Sequence, residues 1–549
     1  MTKHSRSIRS SILKSEQRIS RRDVMHRGLT TVSTLLAGSA SFPRRVGAGT
    51  RDAESRNARK RAAWRKRPLI LDDDGDLVYA DETLKGSAEF LALRMHDCRD
   101  AGVKSLAWCI MWAIAQKGKT ATRYWQTQLM GVPFQENMPD PTPVIEKFCK
   151  EHEIEVFGSI RMNDSHDAYG LPFKKLVYPL KVKHPEVLIG DPGQKGTVTD
   201  GMAAAMWSGL DFSHERVRQD RLRWVRHAAG TYELDGVDLN FFRMPWYFKL
   251  GEEQKNMHLM TDLIRKSRQM LDEIGEQRGW PVLLGVRVPG TVETCNRIGL
   301  DIETWLREHL VDRVLTGGGY VCYSTPAEEL VKLGHRYEVP VYPCINCPMS
   351  FQSGNGNLRA AAANFWSAGA DGIYLWNFQY IDDPQKFGYG RPSHESYQRH
   401  LAEISDPQKL KYLDKSFAVN ARVWEQYQRA SAPAPLPLTL GEVAGVPAKA
   451  MPVRIADDVS TAFARGKLRD VMLRLKVQGS VSGDALALDF NGARSEFTVT
   501  DTTKWSSHPI SPPAVRQGVN QIHLGIARRG QLANVPLTVE QARVDLRYV

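Results

Sequence analysis

No apolar run in this chain approaches the ~18 residues that a membrane-spanning helix requires, so nothing in the mature protein is expected to cross a bilayer. Cysteine is scarce, with seven in 549 residues. That is too few for a disulfide framework, and the odd number leaves at least one thiol unpaired. Cys344 and Cys347 form a Cys-x-x-Cys, but no second ligand pair at comparable spacing completes a zinc site, so a loop thiol pair or local disulfide is expected there and no metal. A dinucleotide fingerprint and a phosphate loop are both missing, because Gly317-Gly318-Gly319 lacks the strand, helix and lysine context of a phosphate cradle. Repeats at solenoid spacing are absent too. No cofactor is expected.

Acidic side chains are fewer than basic ones, 62 against 74, for a formal charge of +12. Much of the excess lies in the first 67 residues and the remainder is closer to balance, so nucleic acid is not an expected partner. The N-terminus accounts for the surplus. Ser20-Arg21-Arg22-Asp23-Val24-Met25 precedes a mildly apolar run from Leu29 to Ala40, the layout of a twin-arginine export signal. Residues 1–48 are expected to be that signal and 49–67 a basic, solvated leader, which implies a bacterial protein exported in folded form to the periplasm or beyond.

What is present is organised around Asp235-Gly236-Val237-Asp238-Leu239-Asn240-Phe241-Phe242-Arg243. Val237, Leu239 and Phe241 alternate with Asp238, Asn240 and Phe242, so one face of a strand is apolar and the other carries an acid and an amide. An open parallel sheet meets helices on both faces, and polar residues there call for the interior of a closed barrel. A half-exposed antiparallel strand is the alternative, disfavoured by the helical patterns on both sides. Seven further strands are predicted, near 69–71, 103–112, 154–164, 281–288, 313–316, 339–345 and 371–378. Helical segments separate them, the last expected over 396–418. From Glu252 to Arg278 the apolar residues keep helical spacing, and Gly279 sits where a C-cap glycine belongs. The fold class expected is α/β, an eightfold (β/α) TIM barrel over residues 68–430, a stiff Pro/Ala linker at 431–438, and a C-terminal jelly-roll-like β-sandwich over 439–549. Alternating runs such as Val471-Met472-Leu473-Arg474-Leu475-Lys476-Val477 carry that last expectation.

A TIM barrel works at the C-terminal ends of its strands, which selects the candidates. They are Asp72, Asp73 and Asp74 from the first strand, Arg161, Asn163, Asp164 and His166 from the third, and Asp238, Asn240 and Arg243 from the fourth. The later strands add Arg287 with Glu293 on its loop, Tyr320, Asn346, and Trp376 with Asn377. Carboxylates, arginines and amides beside a tryptophan suit a sugar, whose hydroxyls want paired polar partners and whose apolar face packs on an aromatic ring. A metal site on Asp72–Asp74, His166 and Asp167 is a minor alternative.

Phe157-Gly158-Ser159-Ile160-Arg161-Met162-Asn163-Asp164-Ser165-His166-Asp167, Leu234 to Arg243, Gly299-Leu300-Asp301-Ile302-Glu303-Thr304-Trp305-Leu306 and Ala368-Gly369-Ala370-Asp371-Gly372-Ile373-Tyr374 together resemble the glycosyl hydrolase-like 10 barrels, exported bacterial proteins, over residues 68 to 390. The resemblance implies a TIM barrel of the glycosidase superfamily and carries no catalytic assignment. Gly518-Val519-Asn520-Gln521-Ile522 resembles carbohydrate-associated jelly rolls. Related barrels tend to have an acid at Asn240, and the catalytic glutamate of family 18 chitinases would fall at Phe242, which argues against a chitinase mechanism.

The functional expectation is an exported glycoside hydrolase acting on a poly- or oligosaccharide. Asp238 and Glu293 are the acid and the base or nucleophile, with Asp164 as substitute. The three arginines Arg161, Arg243 and Arg287 point to an anionic substrate, or else offset the barrel's own acids. A carbohydrate-binding barrel without catalysis is the rival.

Overall fold

Eight short strands alternate with helices, and the alternation closes on itself. The computed structural model describes residues 48–73, 78–80, 95–110, 113–116, 123–125, 140, 142–169, 177–191, 205–317, 325–346, 355–376, 394–423, 425–444, 448–499, 505–530 and 535–549. Strands β1 (Leu69–Asp73), β2 (Ser105–Cys109), β3 (Glu155–Arg161), β4 (Gly236–Asn240), β5 (Leu283–Val288), β6 (Arg313–Thr316), β7 (Val341–Asn346) and β8 (Ile373–Trp376) form a closed barrel in sequence order, every pairing parallel. The principal helices are α1 (Ala48–Ala63), α2 (Thr142–Glu151), α3 (Glu215–Thr231), α4 (Glu253–Arg278), α5 (Ile302–Arg307), α6 (Glu328–Arg336), α7 (Asn355–Ser367) and α8 (His394–Ile404). Gly279 ends α4 in the left-handed region, φ 82°, as the sequence predicts. Among the described residues no helix is long and apolar enough to cross a membrane.

Strand alternation sorts each strand into two environments. Val237 and Leu239 join Leu69, Leu71, Leu106, Val156, Val286, Val314, Ile345 and Leu375 in one cluster packed under the helices. Ile70, Ala107, Leu315, Tyr342, Cys344, Tyr374 and Trp376 form a separate cluster in the lumen. Asp238 and Asn240 share that lumenal parity, so the polar face of the central strand does look inward.

The expected solvated leader is corrected here. Residues 54–67 belong to the fold, because α1 and the turn after it close the N-terminal end of the barrel. Ala62 packs on Phe157 and Leu283. Arg59 pairs with Asp272 at 3.0 Å and Asp312 at 2.8 Å. Arg67, 1% exposed, pairs with Glu155 at 2.5 Å and donates to the carbonyls of Ala62 and Ala63 at the C-terminal end of α1. Arg59, Arg65 and Arg67 of that charge run are thus paired with acids of the barrel. Residues 1–47, with the twin-arginine motif, lie outside the described residues.

The C-terminal region is a pair of antiparallel sheets. Strands β9 (Lys415–Ala418), β10 (Leu438–Gly441), β11 (Lys449–Ile455), β12 (Leu468–Gln478), β13 (Ala485–Phe490), β14 (Ala493–Thr498), β15 (Ser506–Pro509), β16 (Gly518–Arg528) and β17 (Leu537–Tyr548) are arranged β9-β17-β12-β15, with β10 also on β17, and β11-β16-β13-β14. Their inner faces share one core, in which Val471, Leu473, Leu475 and Val477 keep the predicted alternation. Asn491 and Gly492, φ 52° and 96°, make the tight turn between β13 and β14.

Two boundaries differ from expectation. Helix α8 ends at Ile404, a one-turn helix follows at Pro407–Leu410, and Lys415–Ala418, expected as part of the same helix, is instead a strand paired with β17. Lys415 is drawn into the sheet by Asp457 at 2.8 Å. The Pro/Ala stretch is no spacer either. Just before it, a 3-10 turn at Glu425–Ala430 returns to the barrel, where Tyr427 stacks on Phe242 and its hydroxyl donates to the carbonyl of Arg243 at 3.2 Å. Leu436 is buried in the sandwich core.

Candidate functional site

The lumen is filled in tiers, and the lower tier holds a buried ion pair. Arg313 at the start of β6 donates from Nε to Asp238 Oδ1 at 2.9 Å and from Nη2 to Oδ2, while its Nη1 reaches Ser105 Oγ at 3.2 Å. Arg313 is wholly buried, Asp238 is 1% exposed, and the guanidinium lies over the Phe157 ring. Asp238 pairs in register with Gly285, and Gly285 with Arg313, so the ion pair spans the strand between them. A Cβ on Gly285 would stand 1.9 Å from Asp238 Oδ1. Only glycine at that position leaves room for the pair.

This corrects the expectation for Asp238. A carboxylate paired through both oxygens with one guanidinium, and buried beneath the upper tier, is charge-neutralised and shut away from a sugar carbon or a leaving oxygen. Glu293 is not brought to it. It sits on the short helix Val292–Arg297, its side chain 79% exposed, bonded to Arg297 at 2.6 Å. A lumenal carboxylate and a solvated one do not flank one bond.

The upper tier lies at the C-terminal ends of the strands. Arg161, Asn240 and Arg287 are neighbours in register on β3, β4 and β5, and Asn346, Trp376 and Asp72 are neighbours on β7, β8 and β1. The two arcs meet across the lumen, since Arg287 lies 4.7 Å from the Trp376 ring centroid and 5.5 Å from that of Tyr374. Arg243 lies 5.6 Å from the same indole. Trp376 is therefore a fully buried ring bracketed by two guanidiniums, and not the open sugar platform expected of it. Asp72 accepts the Tyr374 hydroxyl at 2.5 Å. Burial first, and Asp72 beside it, push the Tyr374 phenol well above its usual range, so it stays a donor.

Above β3 a relay of side chains leads to the rim. Arg161 bonds Asp164 at 3.1 Å, Asp164 accepts from His166 Nδ1 at 2.8 Å, and Arg243 reaches His166 Nε2 at 2.9 Å. Arginine has only donors, so Nε2 must carry the lone pair and Nδ1 the proton, which makes the imidazole neutral. Burial works to raise the Asp164 carboxyl, but His166, Arg161 and Arg243 outweigh it and hold the group well below the carboxylate range. Burial holds His166 below its ordinary value against the pull of Asp164. Asp164 is thus a fixed anion and a poor proton donor. Asn163 is structural, with Nδ2 donating to the carbonyls of Leu210 and Trp246 and Oδ1 accepting from the Leu210 amide.

Among the acids of the upper region, Asp72 and Asp164 are buried on the lumenal side with the three arginines, whereas Asp73, also buried, has the outward parity of Leu69 and Leu71. Arg161 is committed to Asp164, so offsetting the barrel's own acids explains it better than an anionic substrate does. Tyr320, Asn377, Asp74 and Cys347 lie outside the described residues. Among the described residues no cluster of three or more His, Cys, Asp or Glu side chains could hold a metal. Sequence reasoning missed Arg313, Tyr374 and Tyr427. Arg313 had a signal, being a lone charge opening an apolar strand with lumenal parity, whereas Tyr427 arrives from the stretch beyond the last expected helix, to which no element was assigned.

No family model matches the chain, and no curated protein matches it. Solved structures that resemble it include a noncanonical maltogenic α-amylase from Thermotoga neapolitana, with 11% identity, TM-score 0.34, and 84% of this chain and 99% of that one covered. An Anoxybacillus α-amylase gives 10% identity and TM-score 0.37 over 85% of this chain and 99% of the other. A family 18 chitinase from Chromobacterium violaceum gives 9% identity and TM-score 0.36 over 88% and 89%. Likenesses this distant fix neither substrate nor catalytic residues.

Proposed function

We propose that the chain is a glycoside hydrolase acting on a poly- or oligosaccharide at the C-terminal mouth of its barrel. One observation carries the reading: Asp72 projects into the upper tier of the lumen, hydrogen-bonded by Tyr374 and ringed by Arg287, Asn346 and Trp376. Such a carboxylate, hydrogen-bonded by a tyrosine hydroxyl at the C-terminal end of a barrel strand, suits the base or nucleophile of glycosidic cleavage. Asn240, Arg161 and the Asp164–His166–Arg243 relay would orient hydroxyls around it. The resemblance to the glycosyl hydrolase-like 10 barrels supports the class, and Arg21-Arg22 with the apolar run after it supports export.

The test is reducing-end release from a panel of poly- and oligosaccharides by the purified protein. Asp72→Asn should lower turnover by about 10²–10⁴-fold while leaving the thermal midpoint nearly unchanged. Full activity in that variant would remove Asp72 from the mechanism. A second reading, glycan binding without turnover, is favoured by the commitment of Asp238 and Asp164 to arginines and by Asn240 at the end of β4. Bound glycan with no release of reducing ends would establish it.

A further inference from the structure

We propose that the seam between the barrel wall and the β-sandwich is a second saccharide site, separate from the mouth, which takes a pyranose by one apolar face and its hydroxyls. A cavity of about 470 Å³ opens there, lined by Trp366 and Lys411 on the barrel side, Asp457, Gln517 and Tyr548 on the sandwich side, and Tyr412 between them. That volume is within the range of small-molecule sites. Trp366 stands at the C-terminal end of α7, the helix that runs back down the barrel wall after β7, so the cavity is on the flank and away from the mouth.

The lining is divided as a sugar requires. Tyr412 and Tyr548 have ring centroids 5.7 Å apart with planes inclined by 56°, which makes an angled aromatic wall. Trp366 spends its indole N–H on the Ile404 carbonyl at 2.9 Å, leaving only its ring for packing. Tyr412 holds its ring from a left-handed backbone, φ 60°, a conformation that favours glycine, so the turn itself gives no reason for a large aromatic there.

The polar groups select the ligand class. Asp457, its side chain 12% exposed, accepts Lys415 Nζ at 2.8 Å and the Tyr548 hydroxyl, both on Oδ2. Lys415 is saturated, its other two bonds going to the carbonyls of Leu410 at 2.6 Å and Leu413 at 3.1 Å. Oδ1 has no hydrogen-bond partner among the described residues. Because Lys415 already neutralises the carboxylate, Oδ1 calls for a neutral O–H donor and not for a cation. At the rim, Gln517 donates to the Ala456 carbonyl at 2.9 Å and keeps its amide oxygen as an acceptor, while the exposed Lys411 ammonium supplies donors. An acceptor in the wall, donors and an acceptor at the rim, and aromatic faces fit a polyhydroxylated ring.

The ligand class follows from the cavity's own groups, and the view that it belongs to the same glycan the barrel acts on rests on the function proposed above. The experiment uses the full chain on an array of neutral and uronate-containing oligosaccharides, followed by calorimetry with those retained and by acetylation of Lys411 with and without them. At least one oligosaccharide should bind and protect Lys411. Tyr412→Ala should weaken it tenfold or more, Gln517→Ala about threefold, and Asp72→Asn not at all. Failure of every oligosaccharide to bind overturns the proposal, as does binding that Asp72→Asn abolishes or that a folded Tyr412→Ala and Gln517→Ala both leave unchanged. If Tyr412→Ala does not fold, Gln517→Ala and Lys411 protection decide. Turnover lost in Asp72→Asn with binding kept separates the mouth's chemistry from this site, and absent turnover with intact binding here would sink only the hydrolase reading.

Discussion

Replacing Arg313 by methionine keeps most of the side chain's volume and deletes its charge, which strands Asp238 in the lumen. Both partners are at most 1% exposed, the carboxylate is held through both oxygens, and Asp238 Oδ1 fills the space that a Cβ on Gly285 would take. Breaking such a pair costs about 3–5 kcal/mol, mostly because the remaining charge stays desolvated. Asp238→Asn alone should cost less, since it leaves Arg313 with its Ser105 bond and its position over Phe157. The double variant Arg313→Met/Asp238→Asn removes both charges and should recover at least half of the loss, a coupling of ~2 kcal/mol. Urea unfolding of the four proteins at pH 7, followed by tryptophan fluorescence and far-ultraviolet dichroism, reads this as shifts in midpoint at constant slope. An Arg313→Met cost below ~1 kcal/mol, or strictly additive effects, would refute the assignment of Asp238 to the scaffold and return it to the catalytic candidates.

Two further outcomes are expected. Burial pushes Glu146 up to about 7, whereas an unfolded glutamate titrates near ~4.3. Between those values the folded chain holds a proton the unfolded chain has released, so stability falls as pH rises through the window. Glu146→Gln should flatten that slope in urea midpoints taken from pH 4.5 to 8, and parallel curves would contradict it. A chain shortened to begin at Pro68 should lose about 3–5 kcal/mol or fail to fold, because Glu155 loses Arg67 and the lumen floor loses Ala62, while one beginning at Asp52 should match the full chain in the same assay.

The barrel was legible because its strands obey parity. Each carries apolar residues outward to the helices, and Asp238 and Asn240 exposed the lumenal face by breaking that pattern. The partners of those residues were not legible. Whether Asp238 meets a substrate or Arg313 depends on a contact 75 residues away and on the hole left by Gly285, and neither is encoded in local spacing. Glu293 read as a loop acid near the mouth because proximity to a strand end is visible in sequence, and the direction a short helix gives its side chain is not. The N-terminal arginines misled by composition, since a charge run on a solvated leader and one spent on barrel acids look alike until their partners are known.

The order in which the chain visits its two parts sets what can be recombined. It leaves the barrel to contribute β9 to a sandwich sheet, comes back to set Tyr427 against Phe242 and Arg243, and only then completes the remaining strands. A breakpoint at the Pro/Ala stretch would carry away a sandwich missing an edge strand and leave Phe417 dangling from the barrel. The sandwich is therefore no detachable cassette. Homologous chains should gain or lose the two parts together.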